Sequence, residues 1–335
     1  MHIVVIGGAG YIGSHVTRGL LDAGHSVVVF DNLSSGLREN LFREAAFVHG
    51  DMQHELDLLA VLGGDYPGGA RADAVVHLAA AKAAGESMAN PEKYSTANLG
   101  GTIKVLNAMC AVGITRLVFS SSAAVYGTPE YIPVDEHHPT APINYYGFTK
   151  LEIERILHWY DELRGLRFAA LRYFNAAGYD PSGRVRGLER NPANLLPILM
   201  EVAVGARPEL QIFGDDYDTP DGTCIRDYIH VTDLAEAHRT ALDWIDANDA
   251  SRTVNLGTGV GISVAEMADT ARTITGHPIP ARVVARRPGD PAQLVAAAGE
   301  AERILGWKAR HSSANELIAT SWDAYKRAYG SARES

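Results

Sequence analysis

The chain has 335 residues, 46% of them apolar and 21% charged, and its 40 acidic against 30 basic residues leave a formal net charge of −10. That balance excludes a disordered chain, and it excludes a protein that holds nucleic acid or anionic lipid by a broad positive field. Any anion bound here must be held by a few placed donors.

The predicted elements begin with a buried strand at Ile3 to Ile6, which runs into Gly7-Gly8-Ala9-Gly10-Tyr11-Ile12-Gly13 and then a helix from about Ile12 to Ala23. A second strand at Ser26 to Phe30 ends in Asp31, and a third short strand precedes Asp51 and Met52. Further strands are predicted at Ala74 to Leu78, Arg116 to Ser120 and Phe168 to Tyr173, with helices at about Glu92 to Val112 and Tyr146 to Arg164. Continuous apolar runs alternating with helical patterns imply parallel strands buried on both faces, so the fold class is α/β, a Rossmann-type doubly wound parallel sheet. After Asn175 the chain becomes rich in Gly and Pro, a short helix follows near Leu195 to Val204, and later apolar runs are shorter. This divides the chain into a cofactor domain, 1–175, and a smaller α+β substrate domain, 176–335, with the segment near 233–255 reading as helix then strand and able to return to the first sheet.

The glycines carry the first chemical signal. They follow a strand and open a helix, so the backbone of Gly7, Gly10 and Gly13 can approach a pyrophosphate at the positive helix end, with Tyr11 and Ile12 in the first turn. Asp31 closes the second strand, where a carboxylate accepts both hydroxyls of an adenine ribose and repels a 2′-phosphate; this selects NAD over NADP. Asp51 fits either the adenine side of that site or a solvated surface.

The second signal is Tyr146 and Lys150, four apart and so on one helix face. The spacing alone is weak. Its weight comes from Ser120-Ser121-Ser122, which ends a parallel strand, where open α/β sheets place ligands. Making phenolate plentiful at pH 7 requires a shift of roughly three units from about 10, or about 4 kcal/mol, and a neighbouring ammonium and a cationic nicotinamide both push that way. Tyr146 then acts as general base toward a sugar or alcohol hydroxyl, Lys150 lowers its pKa and binds nicotinamide ribose, and Ser122 aligns the hydroxyl.

Other residue types are less informative. Two cysteines, Cys110 and Cys224, form no disulfide framework, and neither has a partner at zinc-ligand spacing. The adjacent pair His137 and His138 reads as exposed loop, so no metal is expected. With no basic leader pattern at the start and no apolar run long enough to span a bilayer, a soluble cytoplasmic protein without membrane or nucleic-acid partners is expected.

Longer strings add a resemblance. Gly7 to His15, Asp31-Asn32-Leu33, Lys82-Ala83-Ala84-Gly85-Glu86-Ser87, Ser120 to Gly127, Leu171-Arg172-Tyr173-Phe174-Asn175, Gly222 to Val231, Asn255-Leu256-Gly257-Thr258-Gly259 and Arg286-Arg287-Pro288-Gly289-Asp290 run in order along the chain. On these the sequence resembles the extended short-chain dehydrogenase/reductase family, on its UDP-hexose 4-epimerase branch. The resemblance implies tightly held NAD, proton transfer from the sugar 4-hydroxyl to Tyr146, and a transient 4-keto sugar that turns over and is reduced on its other face. It places Asn32, Asp51, Met52, Lys82, Asn98 and Tyr173 around the cofactor. It also places Asn175, Asn194, Arg226, Arg287 and Asp290 on the UDP part, and makes a homodimer through the helices near 92–112 and 146–164.

Several positions leave alternatives open. Arg226 and Arg287 suit a diphosphate or a surface ion pair, and Phe213 suits a uracil neighbour or the core. Leu294 stands where side-chain bulk in the family decides whether an N-acetyl sugar fits, and its intermediate size leaves that undecided. Tyr145 replaces the Pro that often precedes the family's catalytic Tyr and is expected to project elsewhere on the helix. A nucleotide-sugar dehydratase needs an acid and a base at positions held here by Ala123 and Ala124. A 4-epimerase of UDP-N-acetylglucosamine, UDP-glucuronic acid or a UDP-pentose shares the same C4 chemistry, and an inactive NAD-binding regulator is a further alternative.

Overall fold

The computed structural model describes residues 1–189, 192–287 and 289–330. Strand β1 (His2–Ile6) leads into α1 (Tyr11–Asp22), β2 (Ser26–Asp31), β3 (Ala46–His49), α2 (Glu55–Gly63) and β4 (Ala74–His77). Then come α3 (Ala84–Ala89), α4 (Pro91–Tyr94), a wide π turn over Ser95–Gly100, α5 (Gly101–Val112), β5 (Arg116–Ser120), α6 (Tyr145–Arg164) and β6 (Arg167–Tyr173). The remaining elements are β7 (Asn175–Ala177), α7 (Leu195–Ala203), β8 (Leu210–Phe213), β9 (Ile225–Arg226), β10 (Tyr228–His230), α8 (Val231–Asn248) and β11 (Arg252–Leu256). They continue with β12 (Ile262–Ser263), α9 (Val264–Thr275), β13 (Ala281–Val284), β14 (Gln293–Leu294), α10 (Gly299–Leu305) and α11 (Ala314–Gly330).

Seven strands form one parallel sheet in the order β11-β6-β5-β4-β1-β2-β3. Its inner strands carry continuous apolar runs because helices cover both faces: one core layer holds Ile3, Val5 and Val118, the other Val4, Ile6 and Phe119. The chain steps outward from β1 in both directions, so β1 and β4 are neighbours with a crevice beyond their carboxyl ends. A third apolar cluster, built on α7, α9 and α11, forms the core of the cap.

Helix α8 packs on α1, and β11 pairs with β6 in the register Val254↔Leu171. Residues after 175 therefore supply the cap and also one edge of the sheet. The predicted helix over Glu92 to Val112 is interrupted, since the chain widens at Ser95–Gly100 before α5 resumes at Gly101. Such wide turns insert a residue into the helix and often mark functional sites. Helices α2, α9 and α11 occupy stretches where the sequence pattern predicts no element.

One expectation is corrected. His137 is exposed, but His138 is buried: its Nε2 accepts from Glu130 N at 2.9 Å, and its ring packs edge-on against Tyr126. Its own loop folds over it, which no local pattern announces.

Candidate active site

The glycine turn sits at the crevice. Gly7 has φ +87, and a Cβ there would stand 2.7 Å from Ala79 N, just beyond β4; a Cβ on Gly13 would stand 2.1 Å from the Gly7 carbonyl oxygen. Only hydrogen fits at either position. Gly10 is the N-cap of α1 and offers no side-chain cap, and the first turn has no acidic residue, so the first amides are left to face an anion.

Asp31 Oδ2 accepts from Ala9 N at 3.0 Å and Oδ1 from Leu33 N at 2.8 Å, which fixes the carboxyl beside the glycine turn. Burial pushes its pKa up while the two amides pull it down. Asn32 donates to Asp51 Oδ2 at 2.8 Å and Gln53 N donates to Oδ1 at 2.8 Å. Burial raises the Asp51 carboxyl, but these donors prevail and hold it below its usual range. Met52 packs against the core layer that holds Val4, Ile6 and Phe119.

Lys82 is exposed and pairs with Glu189 from the cap, whose other oxygen, Oε2, is buried with no hydrogen-bond partner among the described residues. Tyr11 donates its hydroxyl to Gly178 O at 2.5 Å, tying α1 to the chain entering the cap. Asn98, expected at the cofactor, uses its amide internally: it accepts from Ala81 N at 2.8 Å and donates to Ala81 O and Thr149 Oγ1, each at 3.0 Å. The glycine turn, the uncapped helix and the fixed carboxylate together fit a dinucleotide with a free 2′-hydroxyl.

Beside the crevice, Ser122 follows β5. Its Oγ accepts from Ala124 N at 3.1 Å, and the hydroxyl lies near enough to the Tyr146 phenol to favour its ionised form. Tyr146 lies in the first turn of α6, which Asn144 caps by accepting from Gly147 N at 2.8 Å. One turn on, Lys150 Nζ donates to Ser120 O at 2.8 Å and lies 5.8 Å from the Tyr146 ring centre. Tyr173, at the end of β6, lies beside them, close enough to feel both Tyr146 and Ser120. The three residues predicted to handle the proton are thus brought together.

Their electrostatics differ from the sequence expectation. Burial raises the Tyr146 phenol, against a smaller lowering by Ser122, and drives Lys150 down to about 7, with Glu154 pulling the other way. Low dielectric penalises each charge before it strengthens their interaction, so Lys150 alone does not produce a phenolate. Tyr145 points away as expected: its hydroxyl meets Ser95 Oγ at 2.7 Å and its ring stacks on Phe148. Ala123 and Ala124 put no acid or base at the turn after Ser122.

The cap closes over this edge with a cavity of about 210 Å³ lined by Asn175, Asn194, Phe213, Arg226, Arg287 and Asp290, among others. The Arg287 guanidinium lies 3.8 Å from the Phe213 ring centre, and Arg226 donates to Asp290 Oδ1 at 2.7 Å. Among the described residues no carboxylate pairs with Arg287, so its five donors remain for a ligand. Asn194 precedes α7 without capping it, which leaves a second set of helix amides open at the cavity. Asn175 Nδ2 donates to Asp227 O at 3.0 Å. Leu294 is outside this lining; it pairs with Arg226 in the β14–β9 register and packs against the core layer that holds Ile3, Val5 and Val118. Pro288 lies outside the described residues. A larger cavity, about 360 Å³, opens between α1 and α8, but Arg18, Arg184 and Arg239 on its walls are already paired with carboxylates.

Sequence reasoning missed three supports. Ser87 Oγ accepts from Tyr146 N at 3.0 Å, Thr149 links Asn98 to the Tyr146 carbonyl, and Glu189 holds Lys82. Each joins residues far apart in the chain, and no local pattern reports such a contact.

Fold and site together define a nucleotide-dependent enzyme of the doubly wound class, and the chain belongs to the NAD dependent epimerase/dehydratase family, whose profile matches residues 3–257. Within it the chain is similar to UDP-glucose 4-epimerases. It is 45% identical to the one from Halalkalibacterium halodurans, over 97% of this chain and 96% of that one. The crystal structure of UDP-glucose 4-epimerase from Brucella ovis in complex with NAD superposes with a TM-score of 0.92 at 41% identity, covering 97% and 98% of the two chains. That of the Bifidobacterium longum enzyme in complex with NAD+ and UDP gives 0.91 at 39%, covering 98% and 99%.

Proposed function

We propose that this protein binds NAD and interconverts UDP-glucose and UDP-galactose by inverting C4 through a transient 4-keto sugar. The observation that carries the reading is the convergence of Ser122, Tyr146 and Lys150 between a dinucleotide crevice and a cap cavity furnished for a uridine diphosphate. Bound there, NAD supplies the hydride acceptor and donor and a positive ring charge.

The chain's own residues do the rest. Ser122 Oγ holds the C4 hydroxyl, and Tyr146 takes its proton and later returns it. Lys150, fixed on Ser120 O, presents a positive charge beneath the phenol. Arg226, Arg287 and the open amides at Asn194 grip the diphosphate, while the Phe213 ring, already stacked under Arg287, offers a face to the uracil. Once the C4 hydroxyl has become a ketone and left Ser122 and Tyr146, the sugar stays anchored through its diphosphate and is free to turn and present its other face.

Incubation of the purified protein with UDP-galactose tests this: UDP-glucose must accumulate to a fixed ratio without net consumption of NAD. Binding of NAD with no turnover of any UDP-hexose supports the idle regulator instead. A panel with UDP-N-acetylglucosamine, UDP-glucuronic acid and UDP-xylose decides which sugar is preferred; Leu294 is proposed to set the N-acetyl limit.

The protein is proposed to be a homodimer. Phe148, Trp159 and Leu163 form an apolar stripe on α6, 39%, 60% and 65% exposed, and Ile103 of α5 is exposed as well. A second copy meeting this face would cover it. Trp159→Glu should then shift the sedimentation coefficient to that of a monomer, and a wild-type monomer overturns the reading. Among the described residues no helix is long and apolar enough to cross a membrane. Both cysteines are free, which suits the proposed cytoplasmic location.

A further inference from the structure

We propose that Glu154 and Arg172, a buried ion pair behind the site, are positioning residues that hold Ser122 in register with Tyr146 and Lys150. The proposal rests on the catalytic reading above.

Glu154 is 3% exposed and lies one helical turn beyond Lys150 on α6; Arg172 is 8% exposed and immediately precedes Tyr173 on β6. The guanidinium forks onto the carboxylate, with Nε donating to Oε1 at 3.0 Å and Nη2 to Oε2 at 2.6 Å. Ser121, the neighbour of Ser122, donates its hydroxyl to Oε1 at 2.5 Å. The remaining arm of Arg172 donates to Tyr126 Oη at 2.9 Å, and Tyr126 donates to Asn255 Oδ1 on β11 at 2.6 Å. One carboxylate therefore joins the helix that carries Tyr146 and Lys150 to the strand end that carries Ser122 and to the strand that carries Tyr173.

Stability does not explain such a pair. Replacing a buried ion pair with apolar residues of similar volume is often neutral or stabilising, whereas its fork fixes an orientation that apolar contacts leave loose. Each of the three consecutive serines holds a different partner, since Ser120 O binds Lys150, Ser121 binds Glu154, and Ser122 faces the phenol. A misplacement of about 1 Å between reacting groups can lower rate on the order of a hundredfold, so a clamp of this kind acts on kcat.

The test compares Glu154→Gln, the double variant Glu154→Met with Arg172→Met, and Tyr146→Phe, each purified as the NAD-loaded enzyme. Glu154→Gln leaves Arg172 unpaired and can destabilise the fold; the double variant leaves no buried charge and reads the same clamp. Expected in the double variant is a thermal midpoint near that of the wild type, full NAD content, KM within about twofold and kcat at least tenfold lower. A folded, NAD-loaded double variant with kcat within tenfold of wild type overturns the proposal. An active Tyr146→Phe instead overturns the catalytic reading itself, so the two failures are distinguishable.

Discussion

At Tyr146 a single hydroxyl carries the proposed chemistry. Its ring is held by the backbone bond from Tyr146 N to Ser87 and by its place in the capped first turn of α6. Tyr146→Phe should therefore keep the fold and the bound NAD while lowering kcat by about 10²–10⁴, read by single-substrate kinetics on UDP-galactose. Lys150 shows the opposite tension. Burial drives it to about 7 from 10.5, so below pH 7 the folded protein carries the full penalty of a buried ammonium, and that penalty fades as pH rises toward the unfolded value. Lys150→Met should raise the thermal midpoint, more at pH 6 than at pH 9, while abolishing turnover. An unchanged midpoint at pH 6 counts against this account.

At the scale of elements, the wide turn over Ser95–Gly100 and the start of α6 act as one unit. Asn98 joins the stretch after β4 to Thr149, and Tyr145 joins Ser95, so two side chains lock the turn to the catalytic helix. Tyr145→Phe removes the outer lock alone. It should lower stability by about 1 kcal/mol in urea unfolding and leave kcat within about twofold, because the phenol does not face the substrate. A large loss of kcat would place Tyr145 in the site.

Over the whole molecule, four buried histidines set the acid limit of the fold. His15 and His238 are lowered to about 4, and His77 and His230 to about 3, in each case chiefly by burial. Unfolding between pH 6.5 and 4 therefore takes up protons, approaching four, and stability falls as pH falls through that window. Asp31, Glu136 and Asp227, whose carboxyls are raised by burial, oppose this only near the carboxylate range. The dependence of unfolding free energy on pH measures the proton count, and a flat profile from pH 7 to 4.5 contradicts it. These histidines form no metal site: the described residues contain no cluster of His, Cys, Asp and Glu able to hold one.

Much was legible in the sequence because it was local. The sequence pattern places β5 at its observed ends, and α1, β2 and α6 within about a residue or two, since period and apolar run length are short-range properties. The glycine turn, Asp31 and the Tyr146–Lys150 spacing belong to the same class, as each is written within a single strand–turn–helix unit. What only the tertiary structure decided is how distant pieces meet: Ser87 under Tyr146, Glu189 against Lys82, His138 folded into its loop, and Glu154 forked by Arg172. It also decided the sign of the electrostatics. Sequence places an ammonium near a phenol, but whether the phenol falls or rises depends on how much water the packed chain excludes, and here that exclusion dominates both groups.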